Sequence, residues 1–92
     1  MSLQIHVKSE ITDEEMEQRR VKHWPIWEKG ESVFPWFYEF EENCYILEGE
    51  AVIMASGCEP FTIKAGDLVT FPEGLTCRWE ITKPLRKHYQ LG

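Results

Sequence analysis

The chain reads as an all-β fold, a sandwich or barrel carrying one short helix near its start. Three observations carry that reading. From residue 33 onward the sequence breaks into short runs rich in β-branched and aromatic residues: VFPWFYEF, CYIL, AVIMA, FTIK, LVTF, TCRWEIT and LRKHYQL. Between them stand EEN, EGE, SGCEP, AGD, PEG and KP, which are turn chemistry. The runs recur every 8–12 residues or so, a spacing that suits successive strands rather than βαβ units.

Ahead of that region, LQIHVK alternates Leu3, Ile5 and Val7 with polar residues, the pattern of a half-buried strand. SEITDEEMEQRR follows as a helix of about two turns. Thr12 and Glu15 have the spacing of a capping box, with acids in the first turn and arginines in the last. Pro25 helps to bar its continuation, because proline lacks the N–H and its ring crowds the preceding turn. Trp24, Pro25 and Trp27 are expected to clamp the N-terminal segment (1–30) against the barrel core (31–92) or a second subunit. Residues 1–92 are read as one domain.

Alternation along the strands assigns their faces. Trp36, Tyr38 and Phe40 share one, and after a turn Glu42, Cys44 and Ile46 share another. In TCRWEIT, Cys77, Trp79 and Ile81 point inward, opposite Arg78 and Glu80. AVIMA is apolar throughout, which suits a strand covered on both sides.

Composition limits the partners. The formal charge is −6, and the basic clusters Arg19, Arg20, Lys22 and Arg86, Lys87, His88 are small. They read as solvated surface, so no nucleic acid is expected as a partner. No segment approaches the length of a membrane span, and MSLQIHVKSE lacks the apolar run of a secretion signal. Cys44, Cys58 and Cys77 are odd in number and form no C-x-x-C pair, which suits a reducing compartment. The expectation is a cytoplasmic protein, stabilised by pairing as a homodimer because so short a chain buries a modest share of its surface.

GDLVTFPEGLTCRW carries the most informative spacing. Gly66, Pro72 and Gly74 fall at the intervals of the second cupin motif, with Cys77 where that motif has a histidine. Counting back from Gly49 puts Glu42 at the glutamate of the first motif, and Trp36 and Tyr38 at its two histidines. The phrases WPIWE, CYILEG, GDLVTFPEGL and RKHY are similar to a subgroup of small cupins. That subgroup, of the DUF861 or Cupin_3 type, is grouped with the cupin domain of (S)-ureidoglycine aminohydrolase. The resemblance implies a jelly-roll β-barrel, often dimeric, with a pocket at one mouth. Metal-dependent members hold a divalent ion with three histidines and a carboxylate, and of those four positions this chain matches only Glu42. No metal cofactor of the usual kind is therefore expected.

The candidate pocket consists of Trp36, Tyr38, Glu42, Cys44, Cys77 and Trp79. The aromatic residues read equally as core filling and as walls for a small planar or apolar ligand. Glu42 is costly on an inward face unless paired, and its plain reading is a rim residue satisfied by water. Glu42, Cys44 and Cys77 form a fallback ligand set for a soft divalent metal, against the alternative that buried cysteines act as small hydrophobes. A nucleophilic Cys77 is disfavoured, since a neighbouring carboxylate raises a thiol's pKa. Cys58 reads as an exposed turn residue, and His6, His23 and His88 as surface rather than ligands. Gly49, Gly66 and Gly74 read as turn positions.

Three functions stand open at this point. One is a small-molecule-binding cupin without the usual metal. The second is a metal-dependent enzyme related to ureidoglycine aminohydrolase with a Glu/Cys ligand set. The third is a non-catalytic association subunit. No catalytic residue is assigned.

Overall fold

The computed structural model describes residues 4–92, so Leu3 of the expected first strand lies outside them. The elements are β1 (His6–Lys8), α1 (Asp13–Arg19), a 3₁₀ turn (Val21–His23), β2 (Ile26–Lys29), β3 (Ser32–Phe37), β4 (Glu42–Ala55), β5 (Phe61–Lys64), β6 (Leu68–Phe71) and β7 (Thr76–Leu91). All strand pairs are antiparallel, in the order β1-β6-β4-β7-β2, with β3 also on β7 and β5 also on β4.

Two strands organise the rest. β4 and β7 pair along their whole length, from Glu42↔Leu91 to Ala55↔Cys77. The first half of β4 also holds β6, and its second half holds β5. The last half of β7 holds β2, and its first half holds β3. Each long strand thus belongs to both halves of a jelly-roll barrel. The EGE and KP segments, expected to be turns, are instead irregularities inside these strands. The β4–β7 register shifts between Ile46 and Ala51, which bends the ladder without breaking it. Pro84 lies in the irregular stretch, where a missing N–H interrupts no regular ladder bond.

Gly49 shows why the bend needs glycine. Its φ is +91°, and a Cβ there would run into the Pro84 carbonyl and stand 2.8 Å from the Leu85 Cα. The backbones meet where a side chain would otherwise sit. Gly66 and Gly74 also have positive φ, +96° and +87°, as turn positions should.

The core between the two halves contains Ile46, Ile53, Ile63, Val69, Phe71, Cys77, Trp79, Ile81 and Leu85. Cys77, Trp79 and Ile81 point inward as their alternation predicts, and Arg78 points out. In AVIMA, Ala51 and Ile53 are fully buried and Val52 and Met54 half-buried. A second cluster, Val21, Trp24 and Leu68 with Ile11, Met16 and Tyr45, packs the N-terminal segment against the outer face.

The helix forms as its capping signals predict. Thr12 Oγ1 accepts from the Glu15 amide at 3.1 Å. Glu15 turns its carboxylate to Lys8 (2.7 Å) and Arg19 (3.0 Å) instead of returning it to the cap. The helix ends before Pro25 acts. Arg20 adopts a left-handed conformation (φ 55°), and its N–H reaches the carbonyls of Met16 and Glu17. The WPIWE segment is more than a clamp: Ile26–Lys29 adds an edge strand to β7.

Replacing Gly49 by alanine is expected to cost roughly 2–4 kcal/mol, from strained φ and backbone collision together. Gly57→Ala, in open space at φ +86°, should cost only about 1–2 kcal/mol. Urea midpoints measure both. A Gly49 cost no larger than that at Gly57 would mean the close approach is dispensable.

Candidate functional site

The site is built on the inward faces of β4 and β7. Alternation from Glu42 places Glu42, Cys44 and Ile46 inside, and all three are buried. On β7, Leu85, Lys87 and Tyr89 share the inward face. Register sets Cys44 opposite Tyr89 and Ile46 opposite Lys87. The long Lys87 stem reaches diagonally past Cys44 toward Glu42. Its Nζ lies 2.9 Å from Glu42 Oε2 and 3.3 Å from Cys44 Sγ. The Cys44 thiol in turn donates to Glu42 Oε2 at 2.9 Å. Both charged residues are only 6% exposed.

Aromatic rings enclose this polar cluster. Lys87 Nζ sits over Trp79 at 4.8 Å and over Trp27 at 4.9 Å. Phe34 lies parallel to Trp79 (6.2 Å between centroids, 10°), and Tyr38 stacks on Phe71 (4.7 Å, 7°). Trp79 Nε1 donates to the Tyr38 hydroxyl at 3.1 Å. Tyr38 follows the end of β3, where its N–H donates to Leu75 O (2.9 Å) and its carbonyl accepts from Gly74 (2.7 Å). The Pro72–Gly74 turn thereby fixes Tyr38 in the interior.

Together these groups line a cavity of about 200 Å³ whose walls are Trp27, Phe34, Trp36, Tyr38, Trp79, Tyr89 and Leu91, with Glu42 and Lys87 as its ionic pair. Burial opposes the Lys87 charge, but the Cys44 sulfur and the Glu42 carboxylate outweigh it and hold the ammonium above the usual lysine range. Burial pushes the Tyr38 hydroxyl far above the ordinary phenol range, with Cys44, Cys77 and Glu42 adding to the effect. Tyr38 is therefore a neutral donor. Burial likewise raises the Cys44 thiol, and it pushes Cys77 up to about 11, against hydrogen bonds from Trp79 and Tyr38. Neither thiol is an activated nucleophile.

The six residues expected in the pocket divide. Tyr38, Glu42 and Trp79 line it from inside. Trp36 lines it from the mouth and is 45% exposed, and the alternation expected to run on to Phe40 stops where β3 ends at Phe37, leaving Phe40 exposed. Cys44 lies beneath the wall, bonded to Glu42 and Lys87. Cys77 is packed in the core, opposite Trp36 on β3 and Ala55 on β4. Cys58 is exposed in its turn, and His6 and His23 are exposed.

Three expectations are corrected. Glu42 is not a water-satisfied rim residue; it is buried and ion-paired. The Arg86–Lys87–His88 cluster is not a solvated patch. Lys87 faces the pocket, and His88 is buried on the other face, its Nδ1 2.8 Å from the Trp24 carbonyl oxygen. The fallback metal ligands do not assemble either. Among the described residues no three His, Cys, Asp or Glu side chains converge on a common point. Glu42 and Cys44 are hydrogen-bonded to each other, and both accept the Lys87 ammonium, a cation of the chain's own, so these residues do not fit a metal. Lys87 was legible as a lysine sharing a face with Leu85, Tyr89 and Leu91, but its charged neighbours in sequence masked it. Trp27, Phe34 and Tyr89 complete the walls from strands whose registers no local pattern sets.

The pattern of the EutQ-like cupin domain (Cupin_3) matches residues 16–89. The chain is similar to a DUF861-family protein of Thermotoga maritima at 44% identity, over 97% of this chain and 100% of the other, with a TM-score of 0.92. It is similar to a DUF1255 protein of Acidithiobacillus ferrooxidans at 25% identity, over 68% of this chain and 60% of the other, with a TM-score of 0.66. The EutQ protein of Clostridium difficile shares the fold at 21% identity, over 96% of this chain and 61% of the other, with a TM-score of 0.63. No curated protein matches the chain.

Removing one partner of the buried pair strands the other. Lys87→Met is expected to destabilise the fold by about 3–5 kcal/mol, and Glu42→Gln/Lys87→Met to recover most of that loss. Urea denaturation at pH 7 measures both, and a Lys87→Met variant as stable as wild type would show that the pair does not hold the fold. Because the Lys87 pKa is raised on folding, its stabilisation is complete below the unfolded value near ~10.4 and is lost as pH climbs through the folded value. The stability difference between wild type and the double variant should therefore shift against the wild type above about pH 10.4.

Proposed function

The chain belongs to the EutQ-like cupin family, of the DUF861 type, and on that footing we propose that its barrel binds a small, planar, largely apolar organic molecule. The observation that carries the reading is the ionic pair Lys87–Glu42 at an otherwise aromatic cavity. A pocket lined by rings with a few placed polar groups is the usual form of a small-molecule site. At about 200 Å³ it is somewhat larger than the ~150 Å³ apolar cavity that takes up benzene. That size suits one ring with a substituent.

The metal-dependent alternative, a reaction akin to that of ureidoglycine aminohydrolase, is less well supported, because Glu42 and Cys44 already accept the Lys87 ammonium. The association reading has a specific observation behind it. Trp36, Phe37, Phe40 and Leu91 line one shallow groove beside the pocket, and such apolar patches mark interaction sites. We propose that the chain pairs with a second copy of itself, and that it works in the cytoplasm, where its three free thiols, Cys58 exposed among them, would stay reduced. Sedimentation of wild type and Phe37→Asp decides the first point; a wild-type monomer at about 0.1 mM would overturn the dimer.

A screen of single-ring compounds by saturation-transfer NMR tests the pocket. Trp36→Ala, at the mouth, should weaken any hit by about 1–2 kcal/mol, roughly five- to thirtyfold. Hits unaffected by Trp36→Ala, or no hit at millimolar concentrations, would argue for a barrel that serves association alone.

A further inference from the structure

The cavity's polar groups restrict the charge and shape of what it can hold. Its ionic lining is one ammonium and one carboxylate, 2.9 Å apart, and no other charged side chain faces it among the described residues. The pair is neutral as a unit. An anionic ligand drawn to Lys87 would meet Glu42 beside it, and a cationic ligand drawn to Glu42 would meet Lys87. Either would give up its hydration in an aromatic pocket without gaining an unopposed counter-charge, a cost that close pairing alone offsets.

Hydrogen-bonding capacity adds direction. An ammonium has three N–H groups, and Lys87 directs two of them at Glu42 Oε2 and Cys44 Sγ. Glu42 Oε2 receives both Lys87 and Cys44, while Oε1 accepts from none of the described residues. The pair thus offers a strong donor beside a strong acceptor. The Tyr38 hydroxyl accepts from Trp79 Nε1 and hydrogen-bonds Cys77, so it lends the pair no further free donor.

We propose that the ligand is an uncharged planar carbonyl compound of the amide or lactam type, its carbonyl oxygen on the Lys87 ammonium and its adjacent N–H on Glu42. The ammonium then polarises the carbonyl. The inference rests on the small-molecule-binding reading above and narrows it to one ligand class. Planarity follows from the walls, since Trp79, Phe34 and Trp36 present flat faces or edges to the space. Neutrality and the paired donor and acceptor follow from Lys87 and Glu42.

Four probes of matched size decide it: benzamide, benzoate, benzylammonium and toluene, titrated against the full chain at pH 7 and read by tryptophan fluorescence and ligand-observed NMR. Benzamide should bind at least about tenfold more tightly than each of the other three. Benzoate, benzylammonium or toluene binding as tightly as benzamide would overturn the ligand class and leave the pocket reading standing. Failure of all four at about 10 mM would instead overturn the pocket itself. In Glu42→Gln/Lys87→Met, the preference for benzamide over toluene should fall to about twofold or less. A preference that survives in that variant would remove the pair from recognition. The wild-type ranking needs no variant, so the proposal stands or falls on it even where the double substitution impairs folding.

Discussion

The pairing of β4 with β7 is the constraint from which the remaining structure follows. Two long strands lie side by side from Glu42 to Ala55 and from Thr76 to Leu91, and each passes from one half of the barrel to the other. A ladder that long cannot wrap a core of this size unless it bends. The bend falls where Gly49 lets the two backbones touch and where Pro84 has no ladder bond to lose. On either side of it, each half-strand takes a further neighbour, and those neighbours enclose the core. Local turn chemistry closes the shorter hairpins, whereas the long-range pairing sets the shape.

The same ladder determines the site. Inward alternation on the paired strands places a carboxylate and an ammonium within reach of one another under a ring of aromatic side chains. Neither charge is tolerable there alone, since the desolvation of each amounts to several kcal/mol. Their contact, the Cys44 thiol, and the faces of Trp27 and Trp79 over Nζ together accommodate the pair. A buried ion pair gives little net stability compared with a packed apolar substitute. Net stability therefore does not by itself account for a charged pair beside the cavity.

This arrangement changes the meaning of the departures from the cupin pattern. Cys77, at the histidine position of the second motif, is a core residue with a raised thiol pKa. Tyr38, at a histidine position of the first, is a neutral donor held by a turn. Only Glu42 keeps the residue type of its motif position, and its partner is a lysine from the last strand.

The amino-acid order alone determined the class of the fold, the helix and its cap, the inward set of Cys77, Trp79 and Ile81, and the turn glycines. Each of these rests on neighbours within a few residues, through alternation, capping or turn conformation. It placed Glu42 on an inward face, where it read as a rim residue satisfied by water. Tertiary structure gave it a partner. Lys87 stands between Arg86 and His88, and a run of basic residues reads as surface until β7 is seen to be covered on both faces, by the barrel interior on one side and Trp24 on the other. The continuity of β4 through Gly49 and of β7 through Pro84 was likewise hidden, because glycine and proline signal turns locally and only a paired ladder turns them into bulges. The pocket walls from Trp27, Phe34 and Tyr89 depend on strand register, a long-range property that no single stretch of sequence contains.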